Sequence, residues 1–245
     1  MTAITYEAAP VPVRGDIAAA HGRAWQRLAR PGAWWTGAER VAIAAEVRNA
    51  RDCAHCAARK AALSPYAVAG RHDHLGALPD AAVEAIHAIV AHPGRLTRRW
   101  YEALLAAGLG EGQYVELVSI VAHVVGTDTF CRAIGAAAHP LPAPEAGPPS
   151  RYRPVGAKVS QAWVPTIAPE DHGPAEADLY QGRRTYIRRA LSLVPDEARS
   201  FFDVTNAQYL PGPAMTDFSR EYRAITHAQI ELIAARVSAI NQCFY

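Results

Sequence analysis

Apolar residues return at three- and four-residue intervals along most of this chain, and nowhere do they alternate with period two over a useful length. That periodicity marks helices buried on one face. Ile17–Ala29 is a first, short helical stretch. Thr36, followed three residues later by Glu39, forms a capping box, and Val41, Ile43, Ala44, Val47 and Ala50 behind it predict a helix over Gly37–Ala50. Asp52 reads as the next N-cap, so Cys53–Leu63 is expected to be helical with two cysteines in its first turn. Leu78-Pro79-Asp80 opens Ala81–Ala91, which His92-Pro93-Gly94 closes. Arg98–Ala107 ends at Gly108, and Gln113–Gly135 is long and strongly apolar. After a break the pattern resumes in Thr185–Ser192, Pro195–Asn206 and a last helix from about Thr226.

The break is His139–Lys158, which holds six prolines and reads as an extended linker or surface crossing. It divides the chain into a helical domain, 1–138, the proline-rich stretch, 139–158, and a second part, 159–245. Sliding the chain by 190 residues lays Cys53 over Cys243, and Ile43, Ala44, Ala45 and Val47 over Ile233, Ala234, Ala235 and Val237. Five identities in 13 positions point to two copies of one helical unit, the second cut short.

Composition supports this picture. Half the residues are hydrophobic and 20% are charged, which excludes a disordered chain. Fifty-one are alanine, the best helix former and a poor strand residue. Lys and Arg number 25 against 23 Asp and Glu, and a net charge of +2 gives no reason to expect nucleic acid or an acidic membrane as partner. No apolar signal region opens the chain. The apolar run Tyr114–Gly126 is cut by Glu116 and His123 and is too short to span a bilayer. A soluble, cytoplasmic, all-α protein is expected.

The four cysteines, Cys53, Cys56, Cys131 and Cys243, are too sparse for a disulfide scaffold. Cys53-Ala-His-Cys56 has a spacing typical of redox or metal-binding pairs. Zinc would want a second close pair of ligands, and none follows at zinc-finger spacing. At a helix start, unpaired N–H groups and the helix dipole stabilise a thiolate on Cys53, and Cys56, one turn on, can attack a species formed there. His55 between them is a nearby proton carrier. The bland reading of the pair is two buried small hydrophobes. Glu84 and His87 form half of a carboxylate di-iron signature, to which Glu116 and His123 could add; with one such pair, no metal is expected. His72-Asp-His74 reads as a polar loop, His123 as a satisfied core histidine, and Cys131 as a buried small residue with a third redox thiol as the alternative. Trp34 and Trp35 read as core packing at a helix entry.

Cys53-Ala-His-Cys56, preceded by Trp34-Trp35-Thr-Gly-Ala-Glu39-Arg, resembles the motif of the alkylhydroperoxidase D-like proteins of the carboxymuconolactone decarboxylase superfamily. Tyr114-Val-Glu-Leu-Val-Ser-Ile-Val-Ala resembles the helix that closes that fold. Ile230-Glu-Leu-Ile-Ala-Ala-Arg-Val-Ser-Ala-Ile-Asn-Gln-Cys243-Phe-Tyr resembles the motif more closely still. The resemblance implies an alkylhydroperoxidase D-like helical bundle, duplicated, with an incomplete second copy. It implies a homo-oligomeric thiol oxidoreductase that takes a hydroperoxide or disulfide substrate and a thiol reductant. The redox-active disulfide then serves with no further cofactor.

Carried over residue by residue, Cys53, His55 and Cys56 match, with Cys56 as the peroxide-attacking thiol; the helix dipole alone would favour Cys53, so the roles stay open. The second relay histidine is replaced by Lys60, which can lower a thiolate pKa but is a poor proton shuttle at neutral pH. The motif's glutamate falls on Val41 or Ala42, so Glu46, ahead of Glu39, is expected to substitute. Disulfide chemistry is therefore the firmer expectation, and robust peroxidase turnover the weaker one. In the second copy Glu231 stands twelve residues before Cys243, a second site in outline. The chain stops at Tyr245, one residue short of the motif's next redox position, which raises the expectation of a UGA-encoded selenocysteine there; the rival is a chain that simply ends. Alternative functions are a structural or binding relative with a degraded relay, and a metal-binding helical protein using Glu84 and His87. A lactone decarboxylase is disfavoured, since such relatives do not need a cysteine pair. An incomplete copy should also leave the apolar faces of Ile225–Ile240 to be covered by the first domain or another chain.

Overall fold

The computed structural model describes residues 4–180, 186–241 and 243. Its helices are α1 (Gly15–Ala29), α2 (Gly37–Asn49), α3 (Ala54–Ala61), α4 (Asp80–Ala91), α5 (Arg98–Ala106), α6 (Glu111–Ala133), α7 (Tyr186–Arg189), α8 (Pro195–Gln208) and α9 (His227–Ile240). Among the described residues the sole sheet-like pairing is an antiparallel bridge between Lys158 and Thr166. The protein is all-α. Thr185, Phe244 and Tyr245 lie outside the described residues, so the expected helix start at Thr185 and the interrupted motif after Cys243 do too.

Local chemistry sets the helix starts. The Thr36 hydroxyl accepts the Glu39 N–H, and the Glu39 carboxylate accepts the Thr36 N–H at 2.8 Å. Thr226 and Gln229 repeat the device at α9. At α3 the expectation needs correction: Cys53, not Asp52, is the N-cap residue. The carboxylate that reaches the first turn comes from Asp73, whose Oδ2 accepts the Ala54 N–H at 3.2 Å, so Asp52 is left exposed.

Helices α2, α4 and α6 pack on one another and carry the centre of the core, with Ile43, Val47, Ile86, Leu117 and Val124 fully buried. Ala44, Ala82, Ala85 and Ala88 are also fully buried. Small side chains at these contacts let the helix axes approach closely, which gives the alanine content a packing role as well as a propensity role. By length and composition alone α6 is long and apolar enough to cross a membrane, which the interrupted run Tyr114–Gly126 did not lead one to expect. Within the bundle 56% of its apolar window is buried, so it serves here as a core helix.

The proline-rich stretch is a surface crossing pinned to the bundle. Glu145, Ser150 and Arg151 donate their N–H groups to the carbonyls of Ala29, Gly32 and Ala33 at 2.7, 3.0 and 2.8 Å. Beyond it, Leu179, Tyr180, Leu191, Leu193, Val194 and Ala198 join the main core, and α8 packs on α1 and α6. Helix α9 has a small cluster of its own with Leu210, Ala214 and Ile230, while Leu232, Ile233, Val237 and Ile240 are exposed.

One buried ionic cluster ties these parts together. Arg40 on α2, Glu116 on α6 and Glu197 on α8 are each at most 2% exposed. The Arg40 guanidinium donates to both carboxylates, to Glu197 at 2.9 Å. Glu116 also accepts the Trp34 N–H at 2.7 Å, and Glu197 accepts Arg27 Nη2 at 2.8 Å and Ser119 Oγ at 2.7 Å. Gly32 lies so close that a Cβ there would overlap the Glu116 carboxylate. Burial opposes the charge on Glu197, but Arg40 and Arg27 overcome it and hold the carboxyl down from 4.5 to about 2. Burial pushes Glu116 up, and Arg40 only partly offsets that.

Removing Arg40 takes the one cation from the buried Glu116 carboxylate and leaves Glu197 with Arg27 alone. Arg40→Met is expected to lower stability by about 3 to 5 kcal/mol in urea unfolding at pH 7. Because the folded-state pKa of Glu197 is depressed, its contribution is present above 4.5 and lost as pH falls towards 2. Glu197→Gln should be less stable at pH 7 and show a flatter acid limb across that window.

Candidate functional site

The first turn of α3 places Cys53 and Cys56 on one side, three residues apart, facing α4. The two cysteines are not joined in a disulfide, and both are buried, at 2% and 3% exposed. Burial disfavours a thiolate on Cys53, but backbone N–H groups of Cys56 and Asp73, with His72, outweigh it and bring the thiol below its ordinary value. These are the orphan donors of a helix start and its neighbouring loop. Burial and the adjacent Cys53 sulfur push the Cys56 thiol up to about 12.

Two histidines meet the sulfurs. His87, on α4, has Nδ1 3.1 Å from Cys56 Sγ, and its Nε2 lies 2.9 Å from Glu46 Oε1. Glu46 is fixed in turn by Asn49 Nδ2 and the Leu75 N–H, both at 2.9 Å. His72, on the loop between α3 and α4, has Nδ1 3.4 Å from Cys56 Sγ and 3.8 Å from Cys53 Sγ. Its Nε2 lies 2.8 Å from Glu84 Oε2. Glu84 also accepts Arg59 Nη1 at 2.8 Å and Trp100 Nε1 at 2.9 Å. Burial resists the Glu84 charge, yet these donors hold its carboxyl at about 2. The two imidazoles tilt against each other with centroids 4.2 Å apart. Both present Nδ1 to sulfur and Nε2 to a carboxylate.

Several sequence expectations meet in this site and others do not. Cys53, Cys56 and Glu46 come together, with Glu46 reaching Cys56 through His87. His55 does not take a sulfur-facing place; it lies edge-on to His72, with centroids 5.1 Å apart. Lys60, at the relay position of the motif, is exposed. Glu39 is held in its capping box. His87 meets the pair and Glu84 reaches it through His72, but His123 lies elsewhere: it bonds the Ser119 carbonyl at 2.7 Å and lies 3.1 Å from Ser200 Oγ. Glu116 belongs to the ionic cluster. Cys131 is buried with its sulfur 3.8 Å from the Tyr6 hydroxyl. Trp35 is core, with Nε1 donating to the Gln113 carbonyl at 3.0 Å. Glu231 accepts the Tyr209 hydroxyl at 2.5 Å and lies 3.4 Å from His227 Nε2, while Cys243 is exposed.

The residue that sequence reasoning missed is His72, whose loop read as merely polar. His74 fits that reading, with Nδ1 accepting the Gly76 N–H at 3.1 Å, but His72 turns inward. A usable signal was density, since five of the ten histidines fall between His55 and His92. In comparisons with known proteins, the chain matches no family model, no curated protein and no solved structure.

The loop carrying His72 covers the thiols, and Gly70 anchors it. Its φ is +148°, a conformation that favours glycine, and a Cβ there would sit 2.6 Å from His55 Nδ1. Gly70→Val is therefore expected to lift the loop and cost about 1 to 3 kcal/mol. Iodoacetamide labelling of Cys53 and Cys56, followed by peptide mass spectrometry, should be several-fold faster than in wild type.

Proposed function

We propose that this chain is a thiol oxidoreductase that reduces hydroperoxides through Cys53 and Cys56. The observation that carries the reading is the buried, unbridged pair with Cys56 Sγ 3.1 Å from His87 and Glu46 behind that imidazole. A thiol that needs a proton taken away thus has a base in contact, and the base has a carboxylate to hold its orientation. Cys53, with backbone donors aimed at its sulfur, is the attacking thiol; Cys56 is the resolving one.

The thiolate of Cys53 attacks the peroxidic oxygen, the O–O bond breaks, and the departing alkoxide takes up the proton the Cys53 thiol gave up, leaving an alcohol and a sulfenic acid. Cys56, losing its proton to His87, attacks that sulfur; hydroxide leaves as water and the disulfide forms. Two thiols of an external reductant then restore the dithiol and leave as their own disulfide. His72 and His87, backed by Glu84 and Glu46, stand in for the relay position that Lys60 occupies in the sequence. Substrate reaches the sulfurs only when the His72 loop moves, since both cysteines are buried.

The motif resemblance, together with Thr-capped helices at corresponding places in α2 and α9, supports a duplicated alkylhydroperoxidase D-like bundle. The exposed apolar residues of α9 support a homo-oligomer.

Hydroperoxide consumption with an added dithiol tests the reading. Wild type should turn over, Cys53→Ser should not, and Cys56→Ser should stop at a sulfenic acid that dimedone labels. Glu46→Gln should slow turnover by about 100-fold or more, with the sulfenic acid accumulating because His87, the base of the resolving step, loses the carboxylate that orients it. A reduced chain that neither consumes hydroperoxide nor forms the Cys53–Cys56 disulfide would overturn it.

A further inference from the structure

The four donor atoms at the centre of this site, Cys53 Sγ, Cys56 Sγ, His72 Nδ1 and His87 Nδ1, all lie within 4.8 Å of one another. Zinc bound by two thiolates and two imidazoles places each sulfur about 3.6 Å from each nitrogen, by the bond lengths and tetrahedral geometry of such sites. Three of the four sulfur–nitrogen distances here, 3.1, 3.4 and 3.8 Å, bracket that value. The outer atoms agree with the inner ones. Each histidine turns its remaining nitrogen to a carboxylate, Glu46 for His87 and Glu84 for His72, at 2.9 and 2.8 Å. Carboxylates in that position orient metal-bound imidazoles and raise their basicity.

We propose that the reduced chain binds one zinc-type divalent cation through Cys53, Cys56, His72 and His87. Two thiolates neutralise the divalent charge, so the buried complex carries none of its own, and Arg59 balances Glu84 outside it. Fifteen residues separate Cys56 from His72 and fourteen separate His72 from His87. That spacing is unlike a finger with paired histidines; the second pair of ligands is assembled by a loop and by α4. Because both thiolates are ligands, the bound cation keeps the dithiol from attacking hydroperoxide. This regulatory consequence rests on the oxidoreductase reading, whereas the binding itself does not.

Cobalt(II) titration of the full, reduced, chelator-treated chain, without any oxidant, tests the binding. The expected result is one equivalent bound, with a near-ultraviolet thiolate-to-cobalt band and the intense visible bands of a tetrahedral site, both abolished by added zinc. Cys53→Ser should roughly halve the thiolate band, with one of the two sulfurs gone. His72→Ala and His87→Ala should each weaken binding, and Glu84→Gln should weaken it by about 10- to 100-fold while leaving the visible spectrum tetrahedral. Cys243→Ser should change nothing. A wild-type spectrum with weak octahedral bands and no thiolate band overturns the proposal, as does a thiolate band that keeps its full intensity in Cys53→Ser but falls in Cys243→Ser. Failure of peroxidase turnover in metal-free protein would leave this titration unaffected, so the two readings fail separately.

Discussion

A guanidinium with no access to water must have its charge answered from within the protein, and Arg40 is answered from two distant parts of the sequence. Glu116 and Glu197 converge on it, so α2, α6 and α8 are held at one depth, with α1 attached through Arg27. Apolar burial would tolerate some sliding of these helices. The ion cluster does not, because displacing any member takes a partner away from a buried charge. Fixing α2 in this way also fixes Glu46, two turns further along the same helix, and with it the imidazole that meets Cys56.

The site is organised as two couples of one design. In each, a carboxylate held by other donors grips an imidazole, and the imidazole presents its other nitrogen to sulfur. The couples differ in their surroundings. Glu46 is fixed by an amide and a backbone N–H, and burial keeps His87 from charging readily, holding its pKa below the ordinary value. Glu84 is gripped by Arg59 and Trp100, and for His72 the bond to Glu84 and the contact with Cys53 outweigh burial and move its pKa upward. Adjacent imidazoles thus have opposite proton preferences.

The fold was legible where the signal was local. The Thr36–Glu39 box, the pattern behind it and the breaks at Pro93-Gly94 and Gly108 located helix ends to within about two residues, which is the usual ambiguity of such boundaries. The cysteine pair was legible for the same reason. What could not be read was anything requiring a loop to turn inward. His72 and His74 share one polar tripeptide, and nothing in their spacing says that one bonds its own loop while the other reaches the sulfurs. Asp52 and Asp73 are the converse case, since the carboxylate expected at the cap gives way to one 21 residues on. Glu116 and Glu84 looked alike as helix carboxylates; only packing sends one to a guanidinium under the bundle and the other to an imidazole beside the thiols.

The site and the ion cluster also differ in how much chain each must gather. Every polar group of the site lies between Glu46 and Trp100, and the longest of its side-chain links joins residues 41 apart. The Arg40–Glu197 link closes a span of 157 residues. Closing short loops costs less entropy and happens faster than closing long ones. In a chain emerging from synthesis, the thiols and their histidines can therefore be gathered before α8 exists to complete the cluster. During that interval Arg40 has Glu116 as its one carboxylate partner, and the part that carries the chemistry precedes the part that locks it.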